Sequence, residues 1–234
     1  MLIFENVSFS YPNAIGEFQR VLKDISFSAS PGEFIAITGD NGAGKSTLMK
    51  MIKGQYPPLK GQISLEGQPY TALSSLEKAR LIAYVGQDPE KSTFPHLTLE
   101  ENLSIATDRG RRISLSPALT STKRHYFEDV LERFSIPLKD RLKDPLKVFS
   151  GGQRQILNLL MATLSSSKIL ILDEPTAALD GQATQKALAI IQDFRTHQQG
   201  IVFMITHDPG LVEGHCSRIL RLHQGQLMQD KRIY

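Results

Sequence analysis

Apolar residues recur along this chain in two periods, and the change from one to the other divides it into blocks. Residues 2–9 alternate apolar and polar positions, the pattern of a half-buried strand, until Pro12-Asn13 signals a turn. Residues 13–20 are polar and read as a loop. Residues 21–28 alternate again, and Pro31-Gly32 turns the chain into Phe34-Ile-Ala-Ile-Thr38, apolar enough for a buried parallel strand. Residues 48–53 suit a helix that Gly54 can end. Residues 62–66 form another alternating strand, so antiparallel strands are expected on both sides of the 34–53 unit. Residues 81–85 are continuously apolar and can return to a central sheet.

The texture then changes. Residues 98–105 read as a helix with Thr98 as N-cap and Glu101 completing a capping box. Residues 109–122 are polar and serine-rich. Residues 123–134 place Phe127, Val130, Leu131 and Phe134 on one helical face, and residues 150–164 supply a third helix. Beyond them strand and helix alternate: a buried strand at 168–173, a helix at 182–197 with Ala183, Ala187, Ile190, Ile191 and Phe194 inward, and a strand at 201–206. Residues 216–222 and 226–229 close as a hairpin through Gln224-Gly225. The pattern predicts an α/β fold with a mixed or parallel sheet core, an antiparallel β-subdomain and an inserted helical subdomain. Residues 1–85 and 165–234 form the core and β-subdomain, and 86–164 the helical insert, in one domain of 234 residues.

Composition changes this picture little. A hydrophobic fraction of 41% with 22% charged residues is ordinary for a soluble globular chain. The net charge is +3, and no basic run exceeds two residues, which argues against a nucleic-acid partner. Nothing approaches the roughly 18 apolar residues of a membrane span, and Glu5 near the N-terminus argues against a signal peptide. The single cysteine, Cys216, excludes an internal disulfide and a cysteine-cluster metal site.

The chemistry begins at Gly39-Asp-Asn-Gly-Ala-Gly-Lys-Ser-Thr47, which fits G-x-x-x-x-G-K-[ST] between a strand and a helix. Glycines at 39, 42 and 44 let backbone N–H groups close around phosphate oxygens, and a helix N-terminus adds positive potential. Lys45 would reach the β- and γ-phosphates, and the Ser46 hydroxyl would face Mg²⁺. A second element, Ile169-Leu-Ile-Leu-Asp-Glu-Pro175, ends a buried strand in two carboxylates. Successive strand residues point opposite ways, so Asp173 and Glu174 should differ in role: Asp173 toward Mg²⁺, Glu174 toward the attacking water. A third, Phe149-Ser-Gly-Gly-Gln-Arg-Gln155, opens a helix with Ser150 and Gln153 at capping-box spacing. Two glycines in its first turn cost helix propensity and leave N–H groups unshielded, as an anion site would require.

Taken together these residues resemble the ATP-binding cassette (ABC) ATPases over essentially the whole chain. Residues 39–47 resemble the Walker A loop, and Asn41, Gly42, Gly44 and Thr47 fall within it. Residues 150–153 resemble the signature, with Phe149 where leucine is more usual. Residues 169–174 resemble Walker B with its catalytic glutamate. Ala178-Leu-Asp180 resembles the D-loop, and Ile205-Thr-His-Asp208 the switch-histidine segment. Tyr84-Val-Gly-Gln-Asp-Pro89 resembles the Q-loop, and Tyr11 falls where the family stacks an aromatic ring on adenine. The resemblance implies ATP and Mg²⁺ as ligands. Glu174, His207, Lys45 and Gln87 would be catalytic, and Ser46, Gln87 and Asp173 would face the metal. It implies a head-to-tail pair of cassettes, in which Ser150, Gly151, Gly152, Gln153 and Asp180 of one copy serve the nucleotide of the other. A finer likeness, in Gln87-Asp-Pro-Glu90 and in residues 95–103 and 150–164, is to bacterial importers labelled as tryptophan/tyrosine-type. Pro175 departs from that subgroup, where histidine stands. The expected partners are then an integral-membrane permease and a periplasmic substrate-binding protein. The expected location is the cytoplasmic face of the inner membrane. Residues 109–123 read as a solvated loop, with contact to a permease or lipid headgroups through Arg109, Arg111 and Arg112 as the lesser reading. The alternative is a soluble ABC ATPase outside transport, such as one of iron–sulfur assembly.

Overall fold

The computed structural model describes residues 1–12, 18–109, 118–177 and 179–233. In chain order its strands and helices are β1 (Leu2–Pro12), β2 (Phe18–Ala29), β3 (Phe34–Gly39), α1 (Lys45–Ile52), β4 (Lys60–Leu65), β5 (Gln68–Pro69), α2 (Ser75–Leu81), β6 (Ile82–Val85), α3 (Leu99–Thr107), α4 (Ser121–Arg133), α5 (Gly151–Thr163), β7 (Ile169–Asp173), α6 (Gly181–Thr196), β8 (Ile201–Ile205), α7 (Pro209–His215), β9 (Arg218–His223) and β10 (Gln226–Arg232).

Two sheets result. One is antiparallel, in the order β2-β1-β4-β5, from strands on both sides of the β3–α1 unit. The other has the order β10-β9-β3-β8-β7-β6, parallel throughout except for the β9–β10 hairpin. Alternation along the parallel strands assigns two cores. Ile35, Ile37, Ile169, Ile171, Ile201, Phe203 and Ile205 pack toward α1 and the antiparallel sheet. Ala36, Leu170, Leu172, Val202 and Met204 pack toward α3, α4, α5 and α6. Burial on both faces explains why these strands read as continuous apolar runs. The buried Arg218 fastens the edges: its guanidinium is bidentate to Asp230 at 2.5 and 2.6 Å and donates to the Ser28 carbonyl at 2.6 Å. Cys216 is buried, which pushes its thiol up to about 12.

Several boundaries differ from the sequence reading. β1 continues through Pro12 and β2 begins at Phe18, so residues 18–20 are strand and not loop; residues 13–17 lie outside the described residues. α2 was not anticipated although Ser74 and Glu77 close a full capping box, because no residue of that helix is buried and no apolar stripe marks it. α7 begins under the Asp208 cap and is too short to show a period. The 86–164 block contains no strand among its described residues, only an isolated bridge between Thr98 and Pro145. Arg109 does not face outward. It donates to Ser165 Oγ at 2.6 Å, and burial lowers its pKa; Arg111 and Arg112 lie outside the described residues.

Candidate functional site

Parallel pairing in the order β3-β8-β7-β6 sets four strand ends side by side. The loop at Gly39, His207, Asp173-Glu174 and Gln87 therefore emerge along one edge of the sheet. The glycines of the first loop are demanded by its own geometry. Gly39, Gly42 and Gly44 have φ of 138°, 79° and 102°. A Cβ on Gly39 would stand 2.1 Å from the Leu222 carbonyl oxygen, and one on Gly44 would stand 2.8 Å from a Leu22 methyl. Gly42 faces open space, with Asn41 and Ser46 exposed beside it and Thr47 buried. α1 starts from Gly44 with no side-chain cap, so its first N–H groups are offered outward. The Lys45 ammonium donates to the Gly39 and Asp40 carbonyls at 2.7 and 3.0 Å. The Asp40 carboxylate meets His223 Nδ1 at 3.3 Å.

Asp173 closes β7 half-buried. Desolvation raises its pKa above the ordinary carboxylate value, and the neighbouring Glu174 charge adds to that. A hydrogen bond from the Tyr84 hydroxyl (3.4 Å to Oδ2) and the charges of Lys53 and Lys45 pull the other way. Glu174 leaves the strand in a left-handed conformation, φ 50°, with its amide donating to the Ile205 carbonyl at 3.0 Å. A non-glycine residue held there costs about 1–3 kcal/mol, which its surroundings must hold. The two adjacent carboxylates are thus separated by a backbone turn and not by strand alternation alone. His207 is 60% exposed, and its Nε2 lies 3.6 Å from Glu174 Oε1. A cavity of about 410 Å³ is lined by Gly39, Asp40, Lys45, Thr206 and His207, among others.

The remaining candidates lie elsewhere. Ser150 caps α5 with a closed capping box: its Oγ accepts from the Gln153 amide at 3.2 Å, and Gln153 Oε1 accepts from the Ser150 amide at 3.0 Å. Asp180 caps α6, accepting from the Ala183 amide at 2.8 Å. Ser150, Gly152, Gln153 and Asp180 line a separate cavity of about 260 Å³, which shares no lining residue with the first. Gly151 is exposed, and a Cβ there would meet nothing within 4 Å. Tyr11 packs edge-on against Phe9 and Tyr56, 4.9 and 5.5 Å between ring centroids, and lines neither cavity. Gln87 is exposed and also lies outside both; Ala178 is outside the described residues.

Comparison with known proteins decides what this arrangement belongs to. A family model described as "ABC transporter" matches residues 22–177. A tyrosine transport ATP-binding protein of Clostridioides difficile is 36% identical over 230 residues, spanning 98% of this chain and 91% of that protein. The chain belongs to the ABC transporter family. It is an ATPase cassette of that family, binding and hydrolysing ATP. The spermidine/putrescine import ATP-binding protein of Protochlamydia amoebophila is also 36% identical, over 97% of this chain, but the chain spans only 57% of that relative's length. The cassette fold is matched by a solved dimeric ATP-binding cassette in a post-hydrolysis state with ADP and Pi. The TM-score is 0.84 at 23% identity, covering 100% of this chain and 99% of that one. Among the described residues no helix of this ABC ATPase is long and apolar enough to cross a membrane.

Sequence reasoning passed over three residues around this edge. Tyr84 reaches Asp173, Lys53 covers the Tyr84 ring, and Gln155 of α5 donates to the Pro175 carbonyl at 3.2 Å. Tyr84 stood at the head of the Q-loop segment, but as an aromatic residue in an apolar strand it carried only a packing signal.

Proposed function

We propose that this ABC ATPase is the energy subunit of an importer, acting as a pair of copies on a separate membrane permease. The observation that carries the pairing is the division of the candidate residues. The loop cavity and the Ser150–Asp180 cavity are lined by different residues, and a Cβ on Gly151 would meet nothing within 4 Å among the described residues. A second copy placed head-to-tail would set Ser150, Gly151, Gly152 and Gln153, with Asp180 beside them, against the nucleotide held by the first copy's loop. In that reading residues 1–85 and 165–234 form the core, and 86–164 the helical unit that carries the signature.

The residues fit Mg²⁺. Ser46 offers an exposed hydroxyl, Gln87 an exposed carbonyl, and Asp173 a poorly solvated carboxylate whose raised pKa a cation would relieve. Oxygen donors, few in number, suit a hard cation shared with phosphates. When bound, Mg²⁺ would supply neutralisation of phosphate charge. The chain's own groups do the rest. Amides of the glycine loop and Lys45 hold the phosphates, and Tyr11 contacts the base. Glu174 orients and deprotonates the attacking water, with His207 holding the Glu174 carboxylate against the γ-phosphate.

Glu174→Gln should keep ATP affinity, measured with a fluorescent analogue, and lower steady-state turnover by about 10²–10⁴-fold, the range for a general base. Turnover near that of the unaltered chain would remove Glu174 from this role. Import of an amino-acid-like solute, with a periplasmic binding protein as third component, is supported by the likeness to the tyrosine transport protein. In this reading the chain works on the cytoplasmic face of the membrane. Co-purification with a permease from detergent-solubilised membranes tests it, and recovery in a soluble complex alone would favour a role outside transport.

A further inference from the structure

Tyr84 has no role in the reading above, yet it stands between two of its parts. It is level with Ile171 in the β6–β7 pairing, and alternation puts it on the same face as Asp173, two residues further on. Its hydroxyl donates to Asp173 Oδ2 at 3.4 Å. The Lys53 ammonium, just past α1, covers the ring at 3.5 Å from its centroid. The backbone of Gly86 runs close to the hydroxyl end of the ring. A Cβ there would lie 3.0, 3.1 and 3.2 Å from Tyr84 Oη, Cε1 and Cζ. Gly86 has no left-handed φ, so the tyrosine side chain, and not the backbone conformation, is what a Cβ at this position would crowd. The next residue is Gln87. One ring thus adjoins both the end of α1 and the chain entering the Q-loop segment, with its hydroxyl on the Asp173 carboxylate.

We infer that Tyr84 is a positioning residue for ATP hydrolysis: its hydroxyl holds the Asp173 carboxylate in the orientation that receives the cation, and the Gly86 backbone sets where that hydroxyl stands. A shift of the 86–87 segment therefore reaches Asp173 through one side chain. The inference rests on the proposed role of Asp173.

Tyr84→Phe keeps the ring, the Lys53 contact and the Gly86 contact, and removes the hydroxyl alone. Mn²⁺ affinity of the ATP complex, read by electron paramagnetic resonance on the full chain, should fall about threefold to tenfold, the worth of one ordinary hydrogen bond. Affinity for a fluorescent ATP analogue in EDTA should not change, and raised Mg²⁺ should restore kcat. A purely structural role would lower thermal stability and leave the cation half-saturation where it was. Gly86→Ala pushes a methyl against the hydroxyl, so it should weaken cation binding in the parent chain and add nothing in a Tyr84→Phe background. Unchanged Mn²⁺ affinity in Tyr84→Phe, or strictly additive effects of the two changes, would overturn the inference. Asp173→Asn measured alongside separates the two readings. Abolished Mn²⁺ binding in Asp173→Asn with a neutral Tyr84→Phe discards Tyr84 alone, whereas intact binding in Asp173→Asn discards the role of Asp173 and the inference with it.

Discussion

Helices α1 and α5 both begin with glycine-bearing turns, and the reasons for the glycines differ. At α1, Gly39 and Gly44 adopt left-handed backbone and have other chain segments within 3 Å of where a side chain would start. The helix has no side-chain cap, so its amides are free for an anion. At α5 the turn is complete in itself. Ser150 and Gln153 close the capping box, neither glycine has positive φ, and Gly151 has open space in front of it. The α1 glycines are explained inside the chain. Those of α5 cost helix propensity, and among the described residues no backbone strain or close approach requires them; the proposed pairing gives them a reason in the partner's nucleotide. In the proposed pairing, the binding loop is complete in backbone terms while the site it serves is only half present.

The comparison can be broken first at its strongest point. Gly39→Ala drives a methyl into the Leu222 carbonyl and should cost about 3 kcal/mol or more by urea unfolding, with ATP affinity lost. Gly151→Ala should do the reverse: stability unchanged or raised by up to about 0.5 kcal/mol, ATP affinity intact, and turnover reduced at least about tenfold because a methyl shields the amides from the partner's nucleotide. A Gly151→Ala chain with full turnover would mean that these glycines serve no ligand. Ser150→Ala sharpens the contrast at smaller scale, costing about 1 kcal/mol of stability through the lost cap. No such cap exists to remove at α1.

Much of this was legible in the residues, for identifiable reasons. The parallel strands announced themselves because both faces are buried, and the α3 and α5 starts because their capping boxes precede apolar runs. The same box at Ser74-Glu77 went unread because α2 buries nothing. The candidate residues were named by type and spacing, but their division between two cavities depends on where β7 and α5 end in space. Nor does a Glu-Pro dipeptide announce the left-handed backbone of Glu174, since proline restrains the preceding residue toward extended conformations. Tyr84 was hidden for a simpler reason. Its hydroxyl's partner is 89 residues away in the chain.

The central claim is that one chain holds half of each hydrolytic site. The direct measurement is the ATPase rate per chain across a dilution series, with the monomer fraction followed by light scattering at saturating ATP and Mg²⁺. The account predicts a per-chain rate that falls toward zero as the pair dissociates. A rate that stays high and flat down to monomer would contradict it.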